Sequence, residues 1–259
     1  MRFFTILVIL TGLQLSTMAQ QIGREIMLKV DEQTNLPDEY QEMEMVQISS
    51  NGKKMNRLLK MYIERKGENR NSLIVFTSPA DIEGSAFLTI ENDHREDDNW
   101  LYLPILRRSR RISSTDITDK FMGSDFTYED LQEEDLGDFS YEYLGEATVA
   151  GKAAYKVEAI AATPKKKQET GYSKRVIYVD KASSLMVKID YYSPKGQHIK
   201  TFEAGDIRPV AGTEKFRTYA MSMTDLQKDH KTELHFSTIQ INNDFRSDMF
   251  SKRTLESGI

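Results

Sequence analysis

No cysteine occurs among the 259 residues, so no disulfide can brace the fold and no lipid can be anchored on an N-terminal thiol. Stability must come from a buried core, which a chain of this length can supply. Histidine is scarce: only His94, His198, His230 and His235. The first two fall in predicted turns. His230 and His235 are five residues apart near one strand, so they point to opposite faces and cannot share a metal. A nucleophile elbow is missing, because Met122-Gly123-Ser124-Asp125-Phe126 lacks the second glycine. A phosphate-cradling glycine loop is missing too. Catalysis, a cofactor and a metal are therefore not expected. An excess of positive charge is also lacking, with 35 basic against 40 acidic residues and a net charge of −5, which argues against a nucleic-acid partner. There is no apolar run of the roughly 20 residues a membrane helix needs. Linkers rich in Pro, Gly or Ser and internal repeats are absent, so a single domain is expected.

The first residues have a different pattern. Arg2 precedes the apolar run Phe3-Phe4-Thr5-Ile6-Leu7-Val8-Ile9-Leu10, and Thr17-Met18-Ala19 ends on a small residue. That order is the signature of an export leader, expected to span residues 1–19 and to leave a protein beginning at Gln20 in the periplasm. A buried N-terminal helix is the alternative. Residues 20–259 then form the expected domain.

Beyond the leader, Ile22, Ile26 and Val30 recur every four residues, so a short amphipathic helix is predicted over 22–31, stopped by Asn35 and Pro37. Alternating patterns follow almost to the end. Met43 and Met45 alternate with Glu42 and Glu44, and the shift to Val46 and Ile48 suggests a bulge. Asn51-Gly52 is a hairpin turn. Leu185, Val187, Ile189 and Tyr191 alternate with Met186, Lys188 and Asp190. Residues 114–136 lose the period of two and read as loop with short helices, and Ser247-Asp248-Met249-Phe250 reads as a capped helical turn. The whole predicts a mainly β (α+β) fold: about eleven antiparallel strands in a large curled sheet or open barrel, with a helical insertion.

Two charge blocks stand out. Arg107, Arg108, Arg110 and Arg111 place four guanidinium groups within five residues. From Phe121 to Gly151 there is no Lys or Arg, while Asp125, Glu129, Asp130, Glu133, Glu134 and Asp135 are among the acids there. Either the blocks neutralise one another as weak surface pairs, or the arginines meet phospholipid headgroups or an acidic partner. Strands at 73–76 and 100–103 carry large apolar residues on both faces, and ten methionines follow the leader. Flexible thioethers suit a wall that accepts variable acyl chains, although an ordinary core would use the same residues.

Residues 79–131 are more distinctive. Pro79-Ala80-Asp81-Ile82-Glu83-Gly84, Asp98-Asn99-Trp100-Leu101-Tyr102-Leu103-Pro104, Arg107-Arg108-Ser109-Arg110-Arg111-Ile112 and Phe121-Met122-Gly123-Ser124-Asp125-Phe126-Thr127-Tyr128-Glu129-Asp130-Leu131 together resemble the outer-membrane lipoprotein-sorting protein family. Lys174–Lys181 with Leu185–Tyr192, and Gly196-Gln197-His198-Ile199-Lys200, agree with it. The resemblance implies a LolA/LolB-like open barrel wrapped round a helical lid. It also implies an apolar cavity that shields the acyl chain of a lipid or lipidated protein in transit through the periplasm. An inner-membrane transporter of the resistance-nodulation-division (RND) type is the implied partner, and a monomer is expected. The Trp-Leu-Tyr-Leu-Pro and Met-Gly-Ser-Asp-Phe segments depart from the true LolA carriers, so a free lipid is as fitting a cargo as a lipoprotein. A second reading is a periplasmic sensor of the same fold that signals stray lipoprotein. The cavity residues expected are Met43, Met45, Leu59, Met61, Ile63, Leu73, Val75, Phe87, Trp100, Leu103, Phe121, Met122, Phe126 and Tyr128. Arg107, Arg108, Arg110 and Arg111 are the expected contacts for headgroup or partner.

Overall fold

The computed structural model describes residues 3–67, 69–92 and 94–257. The side chains of residues 1–16, most of the expected leader, lie outside the described set. The chain opens with helix α1 (Phe3–Thr34). This helix is longer than the predicted 22–31 because no proline interrupts it before Asn35 and Pro37. Its end is fixed where the Thr34 hydroxyl donates to the Val30 carbonyl at 3.0 Å.

Next come β1 (Glu39–Ile48), β2 (Lys54–Lys66), β3 (Asn69–Ser78), β4 (Ala86–Ile90), β5 (Asp98–Leu103) and β6 (Arg108–Ile112). The lid, residues 113–138, follows, with 3-10 turns at Phe121–Gly123, Glu129–Leu131 and Leu136–Asp138. Strands β7 (Phe139–Val149) and β8 (Lys152–Ala161), helix α2 (Pro164–Thr170), then β9 (Lys174–Asp180), β10 (Met186–Tyr192), β11 (His198–Pro209), β12 (Phe216–Asp225) and β13 (His230–Ile241) complete the sheet. Helix α3 (Lys252–Ser257) closes the chain, so the predicted helical turn at 247–250 begins a few residues later.

Thirteen antiparallel strands form one open sheet among the described residues, in the order β6-β5-β4-β3-β2-β1-β13-β12-β11-β10-β9-β8-β7. The expectation was about eleven. One strand that alternation did not show is the arginine run, β6, whose charged side chains mask any period of two. It pairs only with β5 and is an edge, and a charged edge resists pairing with other chains. The expected bulge at Met45 and Val46 lies earlier, between Glu42 and Met43. Helix α2 was not foreseen, although its signals are present. Thr163 caps it by accepting from the Lys166 N–H at 3.1 Å, Pro164 opens it and Gly171 closes it at φ 71°.

The topology places the lid. Strands β6 and β7 are the two edges, yet residues 113–138 join them directly, so the segment must cross one face of the sheet. It touches β2 through Arg65, β9 through Arg175 and β11 through Lys200, which requires the sheet to curl around it. Helix α1 lies on the same inner face. Gly23 is its contact point with β7: a Cβ there would sit 2.9 Å from the Tyr141 carbonyl carbon and oxygen. The main core fills this face with Ile26, Met27, Val30, Met45, Leu59, Phe76, Phe121 and Met223. A smaller cluster covers the outer face, where Leu255, Met249 and Phe250 pack on Leu73, Ala86 and Leu88.

Candidate functional site

Between the inner face, α1 and the lid lies a cavity of about 410 Å3. Pockets that hold small ligands run from roughly 300 to 1,000 Å3. Most of its apolar wall comes from three sources. Strands β1 and β2 supply Met43, Met45, Leu59, Met61 and Ile63; β12 and β13 supply Met221, Met223, Leu234 and Phe236; α1 and the lid supply Met27, Val30, Phe121 and Phe126.

Seven of the fourteen residues expected in the cavity therefore line it: Met43, Met45, Leu59, Met61, Ile63, Phe121 and Phe126. The other seven are elsewhere. Leu73, Val75 and Trp100 belong to the outer cluster beneath the C-terminal segment, and the Lys252 ammonium sits 4.2 Å from the centroid of Trp100. Ile74 and Phe76 hold the inner phase of β3 instead. Phe87, Leu103, Met122 and Tyr128 belong to the inner core but anchor the lid rather than face the void. The Phe87 and Tyr128 rings are 5.0 Å apart, and both pack against Phe121. Met122 adopts a left-handed turn at φ 49°, and its carbonyl accepts from the Arg57 guanidinium.

Sequence reasoning missed α1 as a cavity wall, although Met27 and Val30 lie on its apolar stripe. It also missed Met221 and Met223, whose i, i+2 spacing on β12 repeats that of Met43 and Met45. A larger omission is the polar end. There the cavity is bordered by six acids, Asp31, Glu39, Glu129, Asp130, Glu133 and Glu134, and by five cations, Arg65, Arg70, Lys166, Arg175 and Arg217. Arg217 bonds Glu39 at 2.8 Å and also caps α1 through the Thr34 carbonyl at 2.7 Å. Arg65 meets Glu133 at 2.7 Å, and Arg175 meets Glu134 at 2.5 Å. Burial pushes the Glu129 carboxyl up to about 7, against the opposing pull of Arg175.

The lid acids thus have partners, but not in the arginine run. Asp125 pairs with Lys120 at 2.7 Å and Asp130 with Lys200 at 2.5 Å, in addition to the Arg65 and Arg175 pairs. This corrects the reading in which the two charge blocks neutralise one another: β6 is an edge, and the acids turn inward to Lys120 within the lid and to cations on β2, β9 and β11. Among the described residues, Arg111 alone of the four arginines forms an ion pair, with Asp98 at 3.2 Å. Arg107, Arg108 and Arg110 are exposed. They adjoin Ile105 and Leu106, which are 88% and 53% exposed. Ser124 is buried and its hydroxyl donates to the Phe126 carbonyl. Among the described residues no helix is long and apolar enough to cross a membrane, and no cluster of three His, Asp or Glu could hold a metal.

An open antiparallel sheet curled round a helix and a lid, with an apolar cavity between them, is the LolA-like architecture. A LolA superfamily protein from Nitrosomonas europaea shares this fold at a TM-score of 0.69 and 18% identity, over 89% of this chain and 98% of that one. An outer membrane lipoprotein-sorting protein domain from Vibrio parahaemolyticus is nearer, at 0.84 and 29% identity. A DUF1329 family protein from Desulfovibrio piger matches at 0.85 and 28%. Each of these two alignments covers 92% of this chain and 99% of the other. A family model described as uncharacterized protein-like matches residues 68–257, and the chain belongs to that family, the DUF1329 family, with a LolA-like fold. The comparison with curated proteins gives no match.

Proposed function

We propose that the protein is a non-enzymatic periplasmic carrier that holds the acyl chain of a lipid or lipidated protein in the cavity. The supporting observation is the methionine-rich wall between sheet, lid and α1. Each methylene hidden there is worth about 0.8 kcal/mol. Thioether side chains let the same wall accept chains of different shape. Relatives of carrier-type fold give the reading its class. Residues 1–19 act as a cleaved leader, and a monomeric protein beginning at Gln20 works with an inner-membrane transporter of the RND type. The exposed corner of Ile105 and Leu106, with Arg107, Arg108, Arg110 and Arg111 beside it, serves as the contact with headgroups or that partner.

Native mass spectrometry of the protein purified from envelope extracts tests the central claim. A bound acyl-containing species, displaced by a chain-matched fluorescent fatty acid, is the expected result. Ligand-free protein that also fails to bind the probe would overturn it. N-terminal sequencing should find Gln20, and an intact Met1 would refute the leader.

A further inference from the structure

The cavity is apolar along most of its length but not at the end under residues 129–134. Three side-chain atoms there are buried without a hydrogen-bond partner, Asp130 Oδ1, Gln132 Nε2 and Glu133 Oε2, and beside them lies Arg175 Nη2, whose one partner is the Glu134 carboxylate at 2.5 Å. Buried polar atoms are ordinarily satisfied, and an orphan costs roughly 1–3 kcal/mol. All four residues line the cavity. The side chains of Asp130 and Arg175 are only 3% and 9% exposed, so bulk water does not solvate them. Arg70 adds a further cation to the same end, 3.7 Å from Glu133, beyond hydrogen-bond distance.

The orphans are of two kinds. Gln132 offers a free donor, with the Arg175 and Arg70 guanidinium groups beside it, while Asp130 and Glu133 offer charged acceptors. A carboxylate ligand would satisfy only the donors, and an alkyl end would satisfy neither. The six acids and five cations of the lining nearly cancel, which disfavours a ligand of large net charge. We infer that this end is a headgroup subsite for a zwitterionic lipid, its phosphate taken by Gln132, Arg175 and Arg70 and its ammonium by Asp130 and Glu133. The inference rests on the carrier reading and specifies its cargo. The tail lies along the methionine wall, and the lid, which carries three of these residues, closes over the headgroup.

The test compares ligands of one chain length on the full-length protein after delipidation. These are lysophosphatidylethanolamine, lysophosphatidylglycerol and the free fatty acid, each measured by competition with a fluorescent acyl probe. The zwitterionic lipid should bind at least tenfold tighter than either of the others. Gln132→Leu removes a donor that bonds none of the described residues and should reduce that ratio severalfold. Gln132→Glu, which sets a carboxylate where the phosphate lies, should reduce it further. Melting temperatures close to the parent confirm that both variants are folded. Equal affinities for all three ligands would overturn the headgroup subsite and leave the carrier reading intact. A preference for the anionic lipid would overturn the zwitterionic assignment. Binding of none of them would remove the carrier reading and the subsite together.

Discussion

Lys200→Met should loosen the lid more than any other single change in an ion pair. The Lys200 ammonium lies 2.5 Å from Asp130 Oδ2, which also accepts from the Thr127 N–H at 2.7 Å. It sits over the Tyr191 and Tyr172 rings, 4.5 and 5.0 Å from their centroids. Lys200 is 8% exposed, so the pair is shielded from solvent. Methionine keeps the unbranched stem between the two rings but leaves Asp130 charged, buried and unpaired. Breaking a buried pair from one side costs about 3–5 kcal/mol. In a domain of this size each kcal/mol is worth about 2–4 °C, so the melting temperature should fall by about 6–20 °C. Urea unfolding followed by circular dichroism measures the loss. Amide exchange should rise first over 121–131, because the lid is held to β11 by this pair. Adding Asp130→Asn to Lys200→Met removes the stranded charge and should recover a large part of the stability. A single-mutant loss below about 1 kcal/mol, or a double mutant no more stable than the single, would refute the argument that burial sets the cost.

Three further outcomes follow from the same geometry. Gly23→Ala forces a Cβ to within 2.9 Å of the Tyr141 backbone and should destabilise by about 1–3 kcal/mol in thermal melts, since β7 cannot retreat from α1 without losing its pairing. Met221→Trp fills the cavity from β12 and should weaken acyl-probe binding at least tenfold while shifting the melting temperature by only a few degrees. Glu129 carries the pH dependence: its folded pKa of about 7 lies above the value of about 4.3 for a free side chain. Its contribution is therefore complete below about pH 4 and is lost as pH rises through 7. Glu129→Gln should flatten the fall in stability between about pH 4 and 7 when urea midpoints are compared.

The sequence by itself determined the strand-rich architecture, because alternation is a local consequence of the pleat and is written into each segment. Leu185, Val187, Ile189 and Tyr191 are all buried, in the phase their pattern announced. The motifs from Pro79 to Leu131 identified the family, and the loss of period over residues 114–136 marked the lid. Only the tertiary structure decided which face holds the cavity. In β3, Leu73 and Val75 are as apolar as Ile74 and Phe76, so the pattern gives no phase. The choice was made by where α1, the lid and the C-terminal residues Met249, Phe250 and Leu255 pack. The partners of the lid acids were likewise invisible. Arg65, Arg175 and Lys200 lie on strands far apart in sequence, and the curl of the sheet brings them to the lid acids Glu133, Glu134 and Asp130. A local code can specify that a residue is charged or apolar and which way its neighbours alternate. Which distant group meets it depends on strand order and curvature, and those are properties of the whole sheet.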